Sequence, residues 1–357
     1  MRRVAVLGIC FLSRSALSEA ECDDVKTSCR HSGSDEIMSL LQTTLQTKVT
    51  TQKSPNAPSA LLGALSSGIE TFRGMLGIGR ETLVREAKCR RAAEHDAVIL
   101  YLVPARVNFP QDWADALHSL HTLRGLNDSN RAEVRLFVDR DDPVSHADAQ
   151  ELLDAAAPRD ACVVPISFRQ FPAGISEHSA NPWSKRGWGY EHMIRFFFDD
   201  LFEKSLLDGF KYWMRMDTDS CLKSTITIDP FGQLDKTEEL AYLHNEEGTD
   251  CGPVVQGLHD FASRYARLHD KPEPEALRGK PIACVGTYGN NIEIGRISAF
   301  QSKDVREFQA AVRSSEGIYR HRWGDAALRR LAIHIAGLKS EPLPSELQSL
   351  NQHPCHA

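Results

Sequence analysis

Six consecutive apolar residues, Val98-Ile99-Leu100-Tyr101-Leu102-Val103, constrain this chain more than any other stretch. A strand with one wet face alternates polar and apolar side chains, whereas an unbroken apolar run buries both faces. A helical pattern follows from Asp112 to Leu123, then a strand-like Val134 to Val138, a second helical pattern around Ala147 to Ala157, and a third strand from Cys162 to Ile166. Strands alternating with helices predict an α/β fold, a mostly parallel central sheet with helices on both faces. With 357 residues, 41% of them hydrophobic and 25% charged, the chain is long enough to bury such a core.

The strand that carries chemistry is Tyr212-Trp213-Met214-Arg215-Met216, because it runs straight into Asp217-Thr218-Asp219. Ligands of α/β sheets gather at strand ends, and two carboxylates there offer hard oxygen donors to Mn²⁺ or Mg²⁺. Taken alone the pair is no more than a common turn. It is not an EF-hand, since Leu222 and Ile228 stand where that loop needs Gly and a bidentate Glu. The turn Asp139-Arg140-Asp141-Asp142 fails likewise, with Gln150 at the twelfth position.

Residues Gly189 to Leu207 read as one central buried helix. Tyr190, His192 and Arg195 are its polar exceptions, and Arg195 suits either a core carboxylate or a phosphate. His118 and His121 read as a helix face rather than a metal pair. Further along, the pattern predicts a strand at Glu239 to Leu243, a helix from Pro253 to Leu268 and a surface loop from Asp270 to Lys280. A strand at Ile297 to Phe300 and helices Lys303 to Ser314 and Gly324 to Ala336 complete it.

Residues 1–20 have the basic start, short apolar run and small-residue exit of a signal peptide or short anchor. Residues 21–88 read as a largely disordered stem, in which Gly74, Gly77 and Gly79 are linker glycines, and residues 89–357 as the folded domain. A net charge of −6 without a dense basic cluster argues against nucleic acid as a partner. Of nine cysteines, eight remain if Cys10 leaves with the leader, none in Cys-x-x-Cys spacing, which suits an oxidising lumen. Asn127-Asp128-Ser129 is a glycosylation sequon for that compartment.

Five separated segments then carry a resemblance. Tyr190-Glu191-His192-Met193-Ile194-Arg195-Phe196, Lys211-Tyr212-Trp213-Met214-Arg215, Asn291-Ile292-Glu293-Ile294-Gly295, Arg322-Trp323-Gly324-Asp325-Ala326 and Gln352-His353-Pro354 stand in the order of the signatures of the Golgi α-1,2-mannosyltransferases of glycosyltransferase family 15. From roughly residue 95 to the end the chain resembles that family. The resemblance implies a GT-A type nucleotide-diphospho-sugar transferase fold, GDP-mannose as donor and a mannose-terminated glycan or glycoprotein as acceptor. It also implies Mn²⁺ as metal, retention of configuration and a Golgi or secretory lumen or secreted location, while the N-terminal segment by itself allows loose membrane association.

By position, Asp217 and Asp219 resemble the acidic motif that holds metal and nucleotide, with Asp217 where the family usually has Glu, and Arg195 joins them as a candidate phosphate contact. His353 resembles the histidine completing the metal site. Glu293 resembles the nucleophile, and Tyr190 and Asp325 resemble residues lining the donor and acceptor sides. A divalent cation would stabilise the departing diphosphate, while Glu293 attacks the anomeric carbon or steadies an oxocarbenium ion. Without the resemblance, Glu293 reads as a carboxylate paired with an Arg, His353 as a tail residue and Asp325 as a helix cap. Two other functions compete: a glycoside hydrolase using Glu293 and Asp325, and a noncatalytic sugar-nucleotide or glycan-binding protein. The segment Cys284 to Gly289 and the short N-terminal anchor depart from the family pattern.

Overall fold

The structure, a computed structural model, describes residues 89, 95–129, 131–142, 144–167, 171–175, 188–203 and 205–355. The leader, the stem and the Gly74, Gly77 and Gly79 cluster lie outside them. The first unit is β1 (Ala97–Val103), α1 (Pro110–Thr122), β2 (Ala132–Asp139), α2 (His146–Ala156) and β3 (Ala161–Ile166). Pro110 starts α1, where its missing N–H costs nothing, and Trp113, Ala116 and Leu120 form its buried stripe. Ser145 caps α2 by accepting the Asp148 N–H at 3.1 Å. All three strands pair in parallel. Successive β1 residues feed opposite cores: Val98 and Leu100 join one cluster, and Ala97, Ile99, Tyr101 and Val103 the other. The double-sided burial expected from the apolar run is therefore present.

The predicted long helix is three pieces. Helix α3 (Trp188–Arg195) continues into a π-helical turn, Phe196–Asp200, and a short helical turn, Leu201–Glu203. The widened turn accommodates three successive buried phenylalanines, Phe196, Phe197 and Phe198, that no single 3.6-residue stripe would bury. Then come β4 (Tyr212–Met216), β5 (Cys221–Leu222), β6 (Leu240–His244), β7 (Glu247–Cys251), α4 (Leu258–Leu268), β8 (Cys284–Tyr288) and β9 (Ile292–Arg296). The chain continues with α5 (Lys303–Ser315), α6 (Asp325–Ile335), β10 (Lys339–Pro342), α7 (Ser345–Leu350) and β11 (Asn351–Gln352). The main sheet has the order β10-β6-β9-β4-β1-β2-β3. Within it β9 runs antiparallel to both β4 and β6, and the other pairings are parallel.

The strand expected at Ile297 to Phe300 is a helical turn, and the strand lies just before it. Ile292 and Ile294 face one core while Glu293 and Gly295 face the other side. Gly295 is required there, because a Cβ would sit 2.6 Å from Trp213 Nε1. The loop expected at Asp270 to Lys280 contains a short helix whose Ala276 and Leu277 are buried. Residues Pro253 to Leu268 do not form one helix, since Gly257 (φ 74°) breaks it. Three disulfides, Cys89–Cys162, Cys221–Cys355 and Cys251–Cys284, tie the described part together. Asn127 of the sequon is exposed and its side-chain amide donates to Thr227 O at 2.8 Å.

One half-buried histidine gives the fold a pH signature. His334 Nδ1 accepts the Ala276 backbone N–H at 2.9 Å, so the neutral ring carries its proton on Nε2, 3.2 Å from the Tyr288 hydroxyl. Burial pushes its pKa from 6.5 down to about 4, with Arg330 adding to the fall. The unfolded chain therefore binds the extra proton first, and stability is complete above about 6.5 and declines as pH falls towards about 4. In urea titrations, His334→Gln is expected to flatten that decline, and parallel curves for the two proteins would refute it.

Candidate active site at the end of the central strand

Strand β4 lies beside β1 at the point where the chain order of the sheet reverses, the usual ligand crevice of an α/β fold. Its penultimate residue, Arg215, is 2% exposed and organises the site. Its Nε donates to Asp217 Oδ1 at 2.8 Å and its Nη1 to Asp325 Oδ2 at 2.5 Å, while Nη1 lies 3.5 Å from Glu293 Oε1. The guanidinium also packs 3.9 Å from the centre of the Phe197 ring. The register explains the meeting with Glu293, since Arg215 and Glu293 are direct partners across β4 and β9.

Glu293 is fully buried. Tyr242 donates to its Oε2 at 2.6 Å, and Arg329, itself fully buried, donates to Oε2 at 3.1 Å and Oε1 at 3.4 Å. Burial, and then the charge of Glu293, hold the Tyr242 hydroxyl well above its ordinary pKa, so it stays a donor. Asp325 opens α6 and turns to Arg215 instead of capping its own helix.

The turn after β4 meets the chain's last segment. Strands β5 and β11 pair, Cys221 is bonded to Cys355, and Cys355 N donates to Asp219 O at 2.8 Å. The staple delivers His353, whose Nδ1 lies 3.2 Å from Asp219 Oδ1 and 3.3 Å from the Ser220 hydroxyl. That hydrogen bond to Asp219 holds the imidazole above its ordinary pKa. At Asp217, burial raises the carboxyl to about 6 against the pull of Arg215, with Asp325 and Asp219 adding to the rise. Asp217 and Asp219 thus stand at the strand end with one imidazole beside Asp219 and one guanidinium on Asp217. Oxygen and imidazole donors in that setting suit a borderline-hard divalent ion such as Mn²⁺.

Asp217, Asp219 and His353 do not form one group of ligand atoms all within 4.8 Å of each other. Asp217 gives one oxygen to Arg215. Among the described residues the groups that do close are Cys89, Glu133 and Cys162, where the two cysteines form a disulfide, and Asp199, Asp200 and Glu203, where Arg313 binds Asp199 at 2.7 and 2.8 Å. Arg195 lies 3.3 Å from Asp200, the core-carboxylate role of the two left open for it. Tyr190 is half-buried under the Arg322 guanidinium, 4.5 Å from its ring centre. His118 and His121 are exposed on α1, as a helix face requires. Sequence reasoning missed Arg215, Tyr242 and Arg329 as site residues, although a charged residue inside the apolar run of β4 was a visible signal.

No family model matches the chain. Among curated proteins it is 24% identical over 180 residues to O-glycoside alpha-1,2-mannosyltransferase homolog 5 of Schizosaccharomyces pombe, covering 41% of this chain and 42% of that one. It is 28% identical over 159 residues to the probable mannosyltransferase KTR3 of Saccharomyces cerevisiae, covering 43% and 39%. The chain thus spans about two fifths of the length of the curated relatives it matches. Among solved structures it matches the mannosyltransferase Ktr4p of S. cerevisiae with a TM-score of 0.60 at 18% identity, over 73% of this chain and 71% of that one. Core-mannan synthase A of Aspergillus fumigatus, in its Mn/GDP form, gives 0.58 at 16% identity, over 72% and 74%. The fold is the GT-A-like α/β fold of those structures.

Proposed function

We propose that this chain, homologous to the α-1,2-mannosyltransferases of glycosyltransferase family 15, moves mannose from GDP-mannose to a mannose-terminated glycan, with retention and with help from a divalent cation. The observation that carries the reading is the arrival of His353 at Asp219, one turn from Asp217, across 134 residues of sequence. The Mn/GDP form of the A. fumigatus structure supports Mn²⁺ as the ion.

Asp217, Asp219 and His353 would hold the cation, which when bound stabilises the charge of the leaving diphosphate. Arg215 fixes Asp217, Asp325 and Glu293 relative to one another before substrate arrives, so little reorganisation is left for the reaction. Glu293 is shielded and hydrogen-bonded at both oxygens. That arrangement favours stabilisation of an oxocarbenium ion through charge over direct attack on the sugar. The same surroundings disfavour the hydrolase reading, because carboxylates wrapped by guanidinium groups make poor general acids. Three disulfides support an oxidising secretory compartment as the place of work.

The test is GDP release from GDP-mannose in the presence of methyl α-mannoside. Chelation is expected to abolish it and added Mn²⁺ to restore it. Sugar release that needs neither metal nor nucleotide would overturn the proposal.

A further inference from the structure

We infer that Ser220, aimed by Asn291, is a positioning residue for His353: it holds the imidazole in the tautomer that carries its proton on Nδ1, which leaves on Nε2 the lone pair that a cation needs. The inference rests on the metal-assisted reading above. Ser220 follows the Asp217-Thr218-Asp219 turn and is fully buried. Its Oγ lies 3.3 Å from His353 Nδ1.

The surrounding groups decide which atom donates. Nδ1 also lies 3.2 Å from Asp219 Oδ1, and an ionised carboxylate only accepts, so a lone pair on Nδ1 would face another lone pair. On the neutral ring the proton therefore sits on Nδ1, shared between Asp219 and Ser220. Ser220 can only accept it, because its own proton is committed: Oγ donates to the Asn291 backbone carbonyl at 3.2 Å. The Asn291 side-chain amide donates to the same Oγ at 3.3 Å, while its Oδ1 accepts from Asn245 Nδ2 at 3.0 Å. One proton given and two received use the whole capacity of the hydroxyl.

The frame around that hydroxyl is built from the sheet. Asn245 directly follows β6 and Asn291 directly precedes β9, strands that pair with each other. The Asn291 carbonyl also accepts the Asp217 N–H at 2.9 Å, so one residue fixes both the acidic turn and the serine within it. On the other side the Ser119 hydroxyl donates to the Ser220 carbonyl, and the Tyr101 hydroxyl of β1 lies 3.0 Å from Ser119 Oγ. Metal-binding imidazoles depend on such partners at the second ring nitrogen to fix tautomer and orientation, and losing one typically costs about 10–100-fold in metal affinity.

Ser220→Ala tests this on the full chain, with unchanged thermal unfolding as the control for folding. Affinity for Mn²⁺ without nucleotide, read from the electron-paramagnetic-resonance signal of the free ion, is expected to fall about tenfold, the low end of such effects because Asp219 keeps its share of the Nδ1 proton. The ring nitrogens of His353, followed by ¹⁵N NMR in the metal-free wild type, give a readout that needs neither turnover nor a variant. A proton on Nδ1 of the neutral ring is expected, and one on Nε2 overturns the inference even if Ser220→Ala does not fold. A folded Ser220→Ala that keeps the wild-type Mn²⁺ affinity overturns it too, and leaves the mannosyltransferase reading standing. A wild type that binds no Mn²⁺, but whose Nδ1 proton moves partly to Nε2 in Ser220→Ala, sustains the positioning role and overturns the metal-assisted reading. With no Mn²⁺ bound and no movement of the proton, both fall.

Discussion

Asp219→Ala is expected to lower kcat/KM for mannosyl transfer by about 100-fold or more, since the metal's share of charge stabilisation is several kcal/mol. The fold should hardly notice. The Asp219 and His353 side chains are 40% and 41% exposed, and such a pair contributes about 0–1 kcal/mol to stability. The contact that anchors the last segment is made by the Asp219 backbone carbonyl, which alanine keeps. Activity and thermal unfolding measured on one preparation therefore separate the two roles. Turnover near that of the wild type, or a collapse of the fold accompanying its loss, would contradict the assignment.

Arg215→Met reverses the pattern. The guanidinium is the cation shared by Asp217, Asp325 and Glu293, and methionine keeps the packing on Phe197 while removing the charge. Breaking a buried pair from one side typically costs about 3–5 kcal/mol, because the partners stay behind unpaired. In a domain of this size that corresponds to a fall in Tm of about 10 °C. Adding Glu293→Leu removes one of the stranded charges, so the double variant should lose less than the two single losses summed. A single-variant loss below about 1 kcal/mol would show that the three carboxylates do not depend on Arg215.

Much of this architecture is legible in the chain itself. The six-residue apolar run fixes β1 as doubly buried, and the alternation behind it fixes the parallel half of the sheet. Legibility ends where a residue's role depends on a partner far along the chain. Ile297 to Phe300 has strand composition, yet the strand is taken by Ile292 to Arg296, because only Gly295 lets the sheet close over Trp213. Lys339 to Pro342 shows no strand pattern and becomes β10 by pairing in parallel with β6. Glu293 looks like any strand carboxylate until Arg215, Arg329 and Tyr242 surround it. His353 is the extreme case, since the Asp219 carboxylate it meets lies far back in the chain.

The covalent link between Cys221 and Cys355 sets an order of events for the cell. Residue 353 emerges from the ribosome after the sheet it must join, and oxidation of two thiols adds a covalent hold to the β5–β11 pairing that receives it. A molecule truncated behind α7 would lose His353 and with it one of the three residues proposed to hold the cation. The last few residues of the described chain are in that sense the part whose loss the proposed reaction would feel first.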